Sequence, residues 1–223
     1  KNVVDDILLL QKKYGIKGVQ FRDPTFGLMR GYIEEFCNEL KTRNVKIIWG
    51  METRLDLLNE TNLKTMFDAG LRNLNVGIET NNEEIAKLNK RGLVEENHQE
   101  KLIKFCNKLG IKVSAFYILG YEGDTIETAR STVKYAIKLN TLLARFSIST
   151  PYPGTGFYEQ LKKENRILTE DFEKYTQFGL VFKHKNLTED QINRLLNEAF
   201  RKYYFRPGYF FKFLKWKIRE SLL

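Results

Sequence analysis

The sequence predicts an α/β fold built on a parallel sheet, and three observations carry that expectation. Apolar strand-like runs and amphipathic helical stretches alternate five times between Asn2 and Thr155. Strand starts fall roughly 27–40 residues apart, room for a crossover helix that buries its apolar face on the sheet through a right-handed connection. The run Leu74-Asn75-Val76-Gly77-Ile78 is mostly apolar, as in strands buried on both faces.

The elements follow in order. Helical spacing runs from Asn2 to Tyr14 and stops at Gly15, before a strand at Lys17–Phe21 that Pro24 ends. A helix over Met29–Leu40 leads to a strand at Val45–Gly50. Asn59–Ala69 is helical, with Gly70 as its stop. The strand Leu74–Ile78 comes next and stops at Glu79. Asn82 then offers an N-cap, with Glu83 and Glu84 in the first turn of a short helix to Leu88. A longer helix spans about Val94 to Leu109, Lys112–Leu119 is the most apolar strand, Ile126–Lys138 is helical, and Ala144–Ser149 is the last strand. Beyond the firm loop Thr150–Thr155, Gly156–Glu164 is helical and Phe172–Lys185 irregular or extended. Thr188-Glu189-Asp190-Gln191 opens a helix over Ile192–Phe205, and Tyr209–Leu223 forms the last one. The alternation begins with a helix, so the strand that should precede it is expected upstream of Lys1. The expected division is a core at residues 1–165 and a helical extension at 166–223.

A chain of 223 residues can bury one sizeable core, and 42% hydrophobic with 29% charged residues fits a soluble globular protein. No apolar run reaches the length of a bilayer span, and no signal-peptide pattern opens the chain. Cys37 and Cys106 lie far apart in helical patterns. They read as buried or half-buried free thiols of a reducing, cytoplasmic compartment. The net charge of +9 is concentrated at one end. Arg201, Lys202, Arg206, Lys212, Lys215, Lys217 and Arg219 stand against Glu220 alone, a net of +6 that leaves +3 for the rest.

The predicted strands end in Arg22/Asp23, Glu52/Arg54, Glu79, Glu122/Asp124 and Thr150/Tyr152. In α/β folds, ligands bind in the crevice beyond the carboxyl ends of the strands. Opposed charges (Arg22 with Asp23, Glu52 with Arg54) suit a zwitterion better than a simple anion, and Gly77 and Gly120 leave the backbone open to a flat ligand. Asp124, just ahead of a helix, reads as a cap. Solvated loop charges stay the alternative for each group taken singly. No GxGxxG, GxxxxGKS or GxxxxGKT run is present, which argues against a nucleotide held by its phosphates.

Taken in order, Phe21-Arg22-Asp23-Pro24-Thr25-Phe26, Glu52-Thr53-Arg54-Leu55-Asp56, Gly77-Ile78-Glu79-Thr80, the run Tyr117–Thr125 and the run Ser149–Thr155 resemble the strand-end motifs of the radical S-adenosylmethionine (SAM) enzymes. The nearest likeness is to the subgroup with a cobalamin-binding domain ahead of the barrel, which includes magnesium-protoporphyrin ester cyclases and many methyltransferases. The resemblance covers residues 1 to about 165. It implies a partial (β/α)6 TIM-like barrel, without its first strand and cluster loop, followed by the helical extension. It also implies Asp23 and Thr25 at the methionine amino group of SAM and Arg54 near its carboxylate or ribose. Glu79 falls on the ribose hydroxyls, and Ile118, Gly120 and Tyr152 around the adenine. The implied chemistry is one-electron reduction of the sulfonium by a [4Fe-4S] cluster, giving a 5'-deoxyadenosyl radical that takes hydrogen from substrate. Its outcome is methyl transfer or cyclisation of a small-molecule or lipid-like substrate, with ferredoxin or flavodoxin as reductant.

Two departures accompany the resemblance. The family's CxxxCxxC cluster loop is absent, and Cys37 and Cys106 do not substitute for it. The cluster ligands are therefore expected upstream of Lys1, with cobalamin in a missing N-terminal domain and the fragment alone inactive. Relatives usually read Gly-Leu-Pro-Gly-Glu-Thr after the fifth strand, where this chain has Gly120-Tyr121-Glu122-Gly123-Asp124-Thr125.

In the basic end, Tyr203, Tyr204, Phe205, Tyr209, Phe210, Phe211, Phe213 and Trp216 crowd among the charges. Three readings are open: rings closing the barrel under solvated cations, a helix in a membrane interface, and a stacking surface for nucleic acid, the last the least expected. His98 and His184 sit on polar segments and are expected at the surface. Rival functions are an α/β binding or scaffold module without redox chemistry and a membrane-surface accessory protein.

Overall fold

The computed structural model of the protein describes residues 2–29, 31–92 and 94–221, the last three of these by backbone alone. The side-chain charges of Arg219 and Glu220 thus lie outside the described residues. The elements are α1 (Asn2–Tyr14), β1 (Gly18–Gln20), α2 (Tyr32–Thr42), β2 (Ile48–Thr53), α3 (Glu60–Asp68), β3 (Leu71–Glu79), α4 (Glu83–Leu88), α5 (Glu96–Leu109) and β4 (Lys112–Leu119). After them come α6 (Ile126–Leu139), β5 (Leu143–Ile148), α7 (Gly156–Lys163), α8 (Glu189–Tyr204) and α9 (Pro207–Ser221). The strands form one sheet in the order β1-β2-β3-β4-β5, with β2 parallel to both β1 and β3. Strand order that follows chain order, with a helix between successive strands, is the α/β class expected.

The chain divides into two compact units, Lys1–Gly77 with Val94–Ala115, and Ile78–Leu93 with Phe116–Leu223. In the first, Trp49, Met51, Leu63, Met66, Leu71 and Leu74 have no exposed surface. Phe36 meets the Trp49 ring edge-on at 5.2 Å, and the indole N–H donates to the Ala69 carbonyl at 2.9 Å, so the largest core side chain has its polar atom satisfied. Asn59 and Asn62 form a reciprocal cap at the start of α3. Cys37 and Cys106 are buried free thiols, and desolvation pushes them up to about 11 and about 12. The expected strand at Val45–Gly50 begins three residues later. Val45 and Ile47 are buried as a strand's would be, but Val45 N–H still bonds the Leu40 carbonyl at the end of α2. The ladder starts where Ile48 N–H reaches the Lys17 carbonyl, and pairing with β3 draws Glu52 and Thr53 into the strand.

In the second unit α8 lies on α6 and β5. Tyr117 stacks on Phe146 at 5.3 Å, and Phe200 meets that ring edge-on. The helix start read from the sequence is present: Thr188 Oγ1 accepts from Gln191 N–H, and Gln191 Oε1 accepts from Thr188 N–H. Part of the aromatic end closes over this core. Tyr203 donates to the Thr141 carbonyl at 2.6 Å, Tyr204 to Ala144 at 2.7 Å and Tyr209 to Leu142 at 3.1 Å, tying α8 and α9 to the segment that enters β5. Tyr203→Phe should therefore cost about 1 kcal/mol of stability. A urea midpoint matching that of the parent would show that this hydroxyl holds nothing.

His184 is not at the surface. It is 6% exposed; its Nδ1 accepts from the Asn186 and Leu187 amides, so Nε2 carries the proton given to the Tyr121 carbonyl at 2.8 Å. Polar neighbours in sequence suggested solvent, whereas the extended segment alternates inward through Phe182 and His184. His98 is half-buried on α5, with a ring nitrogen 3.3 Å from the Leu55 carbonyl.

Candidate functional site

The two units hold different members of the expected site. In the first, Phe26 is buried and its amide bonds the Glu52 carbonyl at 2.8 Å, while Thr53 Oγ1 donates to the Phe26 carbonyl at 2.7 Å. These bonds anchor the loop that carries exposed Asp23 and half-buried Thr25 to the end of β2. Arg54 pairs with Asp56 through two hydrogen bonds of 3.0 and 2.6 Å. Such a two-point contact orients the guanidinium.

In the second unit Glu79 is the last residue of β3 and sits at φ +64°. A left-handed backbone is uncommon for a residue with a Cβ and costs of order 1–3 kcal/mol, so its surroundings must hold it. They do so on both sides. Thr80, 2% exposed, bonds Thr132 Oγ1 at 3.2 Å, and Asn82 caps α4 by accepting from Ile85 N–H. The carboxylate is held at one oxygen: Tyr121 OH donates to Oε2 at 2.8 Å, and Arg91 Nε lies 3.3 Å from the same atom. Oε1 takes no hydrogen bond from the described residues. Burial first, then the Glu79 charge, pushes the Tyr121 phenol far up, so it remains a donor at any physiological pH.

The Gly120–Thr125 loop positions that phenol. Asp124 is 2% exposed and closes the turn on itself, accepting from Tyr121 N–H at 3.0 Å and from Thr128 Oγ1 at 2.6 Å. The cap proper is Thr125, so Asp124 is structural in a different way from that expected. Glu122 takes both Arg166 Nη groups, at 3.0 and 2.9 Å, and Lys185 Nζ at 2.9 Å. Burial pushes its carboxyl up, but these donors outweigh burial and hold it below the ordinary value. Asn89 binds the Glu122 backbone at both N–H and C=O. Gly120, at φ +73°, has Ile192 Cδ1 of α8 3.1 Å from where a Cβ would stand. Its glycine thus serves the turn and the packing of α8.

A cleft of about 590 Å³ opens in this unit, lined by Arg91, Ile118, Tyr121, Ser149, Tyr152 and Gln177 among others. Tyr152 is 40% exposed there, and its carbonyl accepts from Thr155 Oγ1 at 2.6 Å, which fixes the loop after β5. Ile118 and Tyr152 line the cleft directly, and Glu79 connects to it through Tyr121 and Arg91. A half-buried aliphatic, an aromatic ring and a carboxylate with an open oxygen suit a nucleoside, with base on the apolar groups and hydroxyls on the acceptor. The first unit has its own cleft of about 570 Å³, beside Lys17, Ile47 and Gly70 at the starts of β1, β2 and β3. None of the expected site residues lines it. Tyr121 and Arg91 went unread as site residues, because their link to Glu79 bridges 42 and 12 positions that no periodicity joins.

No group of three or more His, Cys, Asp or Glu among the described residues could hold a metal ion. Cys37 and Cys106 are buried and belong to no such group, so they do not supply the three-thiolate set of an iron–sulfur cluster.

Comparison with known proteins gives a consistent picture. A family model described as the Radical SAM superfamily matches residues 1–136. An uncharacterized methyltransferase of Pyrococcus horikoshii is 31% identical over 207 residues, 93% of this chain and 45% of that protein. The anaerobic magnesium-protoporphyrin IX monomethyl ester cyclase of Rubrivivax gelatinosus is 28% identical over 227 residues, covering 100% of this chain and 40% of the cyclase. The chain thus spans under half the length of these curated relatives. Among solved structures, the radical SAM methyltransferase TsrM from Kitasatospora setae, with cobalamin and a [4Fe-4S] cluster bound, superposes with a TM-score of 0.65. It shares 21% identity and covers 73% of this chain and 31% of its own. At that identity the likeness is one of fold, and the fold is the α/β, partial TIM-like barrel expected.

Proposed function

Since the chain belongs to the radical SAM superfamily, we propose that it is the SAM-binding part of a cobalamin-associated radical enzyme that methylates or cyclises its substrate. The observation that carries this reading is the Glu79 carboxylate, fixed at Oε2 by Tyr121 and Arg91 with Oε1 open, at the end of a strand whose neighbour opens on a nucleoside-sized cleft. Glu79 accepts hydrogen bonds from the ribose hydroxyls. Ile118 and Tyr152 lie against the adenine and keep water from it, and the Gly120 turn sets the distance between them. In the first unit, Asp23 and Thr25 bind the methionine ammonium, and Arg54, aimed by Asp56, binds its carboxylate.

A [4Fe-4S] cluster would supply the electron that breaks a carbon–sulfur bond of the bound SAM, giving methionine and a 5'-deoxyadenosyl radical. The residues of this chain contribute orientation and exclusion of water, the two effects a rigid pocket can give. The cluster and the cobalamin are held elsewhere in the complete protein. Ferredoxin or flavodoxin supplies the electron, and the substrate is a small or lipid-like molecule that the protein meets at a membrane surface through residues 201–223. Relatives named for a magnesium-protoporphyrin ester support the lipid-like alternative.

Anaerobic incubation of the complete, reconstituted protein with SAM and a low-potential reductant should release 5'-deoxyadenosine. Absence of any SAM cleavage from protein of full cluster content would favour a binding module on the same frame.

A further inference from the structure

The outer side of α9 has no role in the site above. At about 100° per residue, Phe210, Phe211, Leu214 and Ile218 share an arc of roughly 100° on this helix. Their exposures are 62%, 67%, 46% and 54%, and Phe205, where α8 ends, is 87% exposed. The other side of the helix faces inward: Tyr209 bonds the Leu142 carbonyl and Lys212 bonds the Asn140 carbonyl. Lys215 and Lys217 fall just outside the apolar arc, one on each edge. The helix is therefore anchored by one side and presents a continuous apolar stripe, bordered by ammonium groups, on the other.

We propose that this stripe seats the protein on an anionic membrane surface, with α9 lying in the interfacial plane. This deepens the membrane-surface part of the proposed function and rests on it, while standing apart from how SAM is held. Three observations single out this occupant. Alternating rings and cations, which would favour stacked nucleotides with phosphates between, are not found on the outer arc; rings and cations are segregated. Lys215 and Lys217 carry their charge to the headgroup level while their stems lie on the apolar layer, and cations at both edges of the stripe select an anionic leaflet. No helix of the described residues is long and apolar enough to cross a membrane, which leaves the interfacial plane for the stripe.

The test is flotation of the full chain on phosphatidylcholine vesicles with and without phosphatidylglycerol. Expected is binding to the anionic vesicles and at least about tenfold weaker binding to the neutral ones. Phe210→Ser/Phe211→Ser/Leu214→Ser, a change confined to exposed positions and checked for unaltered circular dichroism, should bind anionic vesicles about tenfold or more weakly. Lys215→Gln/Lys217→Gln should lose severalfold, and salt should weaken the parent more than this variant. Equal flotation of parent and triple variant overturns the proposal, as does no flotation of the parent on either lipid. A parent dimer that the triple variant turns into a monomer, without vesicle binding, would assign the stripe to a second copy and overturn it too. SAM binding measured on the complete protein carrying the same triple change should stay unchanged, which separates failure here from failure of the nucleoside site.

Discussion

Replacing Glu79 by alanine is expected to weaken SAM binding to the complete, cluster-loaded protein by about 1.5–3 kcal/mol, roughly tenfold to a hundredfold in dissociation constant. The size follows from what is lost: charge-assisted acceptance from the ribose by an oxygen that takes no hydrogen bond from the described residues. Glu79→Gln discriminates further. Its amide can turn only one oxygen, so either Tyr121 or the ribose meets an N–H where it needs an acceptor. Tyr121→Phe should loosen the carboxylate and give a smaller loss of the same kind, although it leaves every proposed ligand contact in place. Equilibrium dialysis of labelled SAM measures all three. A dissociation constant unchanged in Glu79→Ala would count against the ribose assignment.

Replacing Arg166 by methionine should cost about 3 kcal/mol of folding stability, in the range for breaking a buried ion pair at one partner. Arg166 and Glu122 are each 10% exposed at the side chain, and Arg166 also holds Glu164 at 2.7 Å and the Lys183 carbonyl at 2.8 Å. Lys185 stays with Glu122 in the variant, which keeps the loss from growing larger. The acid dependence gives the mechanism away. In the parent, the folded-state carboxyl of Glu122 lies below its ordinary value, so its contribution is present above the usual carboxylate range and is lost as pH falls through the depressed value. Without Arg166, burial should dominate and raise that carboxyl, so the variant's deficit should shrink on acidification. Urea midpoints at neutral and mildly acid pH read this out. A deficit that stays constant with pH would mean the guanidinium acts by packing alone, over the Phe182 ring, 5.9 Å away.

Much of the frame was legible because local signals sufficed. The Lys112–Leu119 strand was read to the residue, since a long apolar run is bounded by Gly110 and Gly120, both in left-handed conformations. The Thr188/Gln191 cap and the Asn82 cap were legible for the same reason: each lies within a single helical turn. What stayed hidden depends on distant partners. Tyr121 lies 42 residues from Glu79 and Arg166 lies 44 from Glu122, and only the fold brings them together. The two sides of α9 were also unreadable in advance, because Tyr209 and Phe210 look alike until Leu142 takes one of them.

The measurement that bears most directly on the nucleoside site is the structure of the complete protein with SAM bound. Expected are ribose hydroxyls within hydrogen-bond distance of Glu79 Oε1 and adenine against Ile118 and Tyr152. A nucleoside seated elsewhere, with Glu79 still engaged by Tyr121 and Arg91 alone, would contradict it.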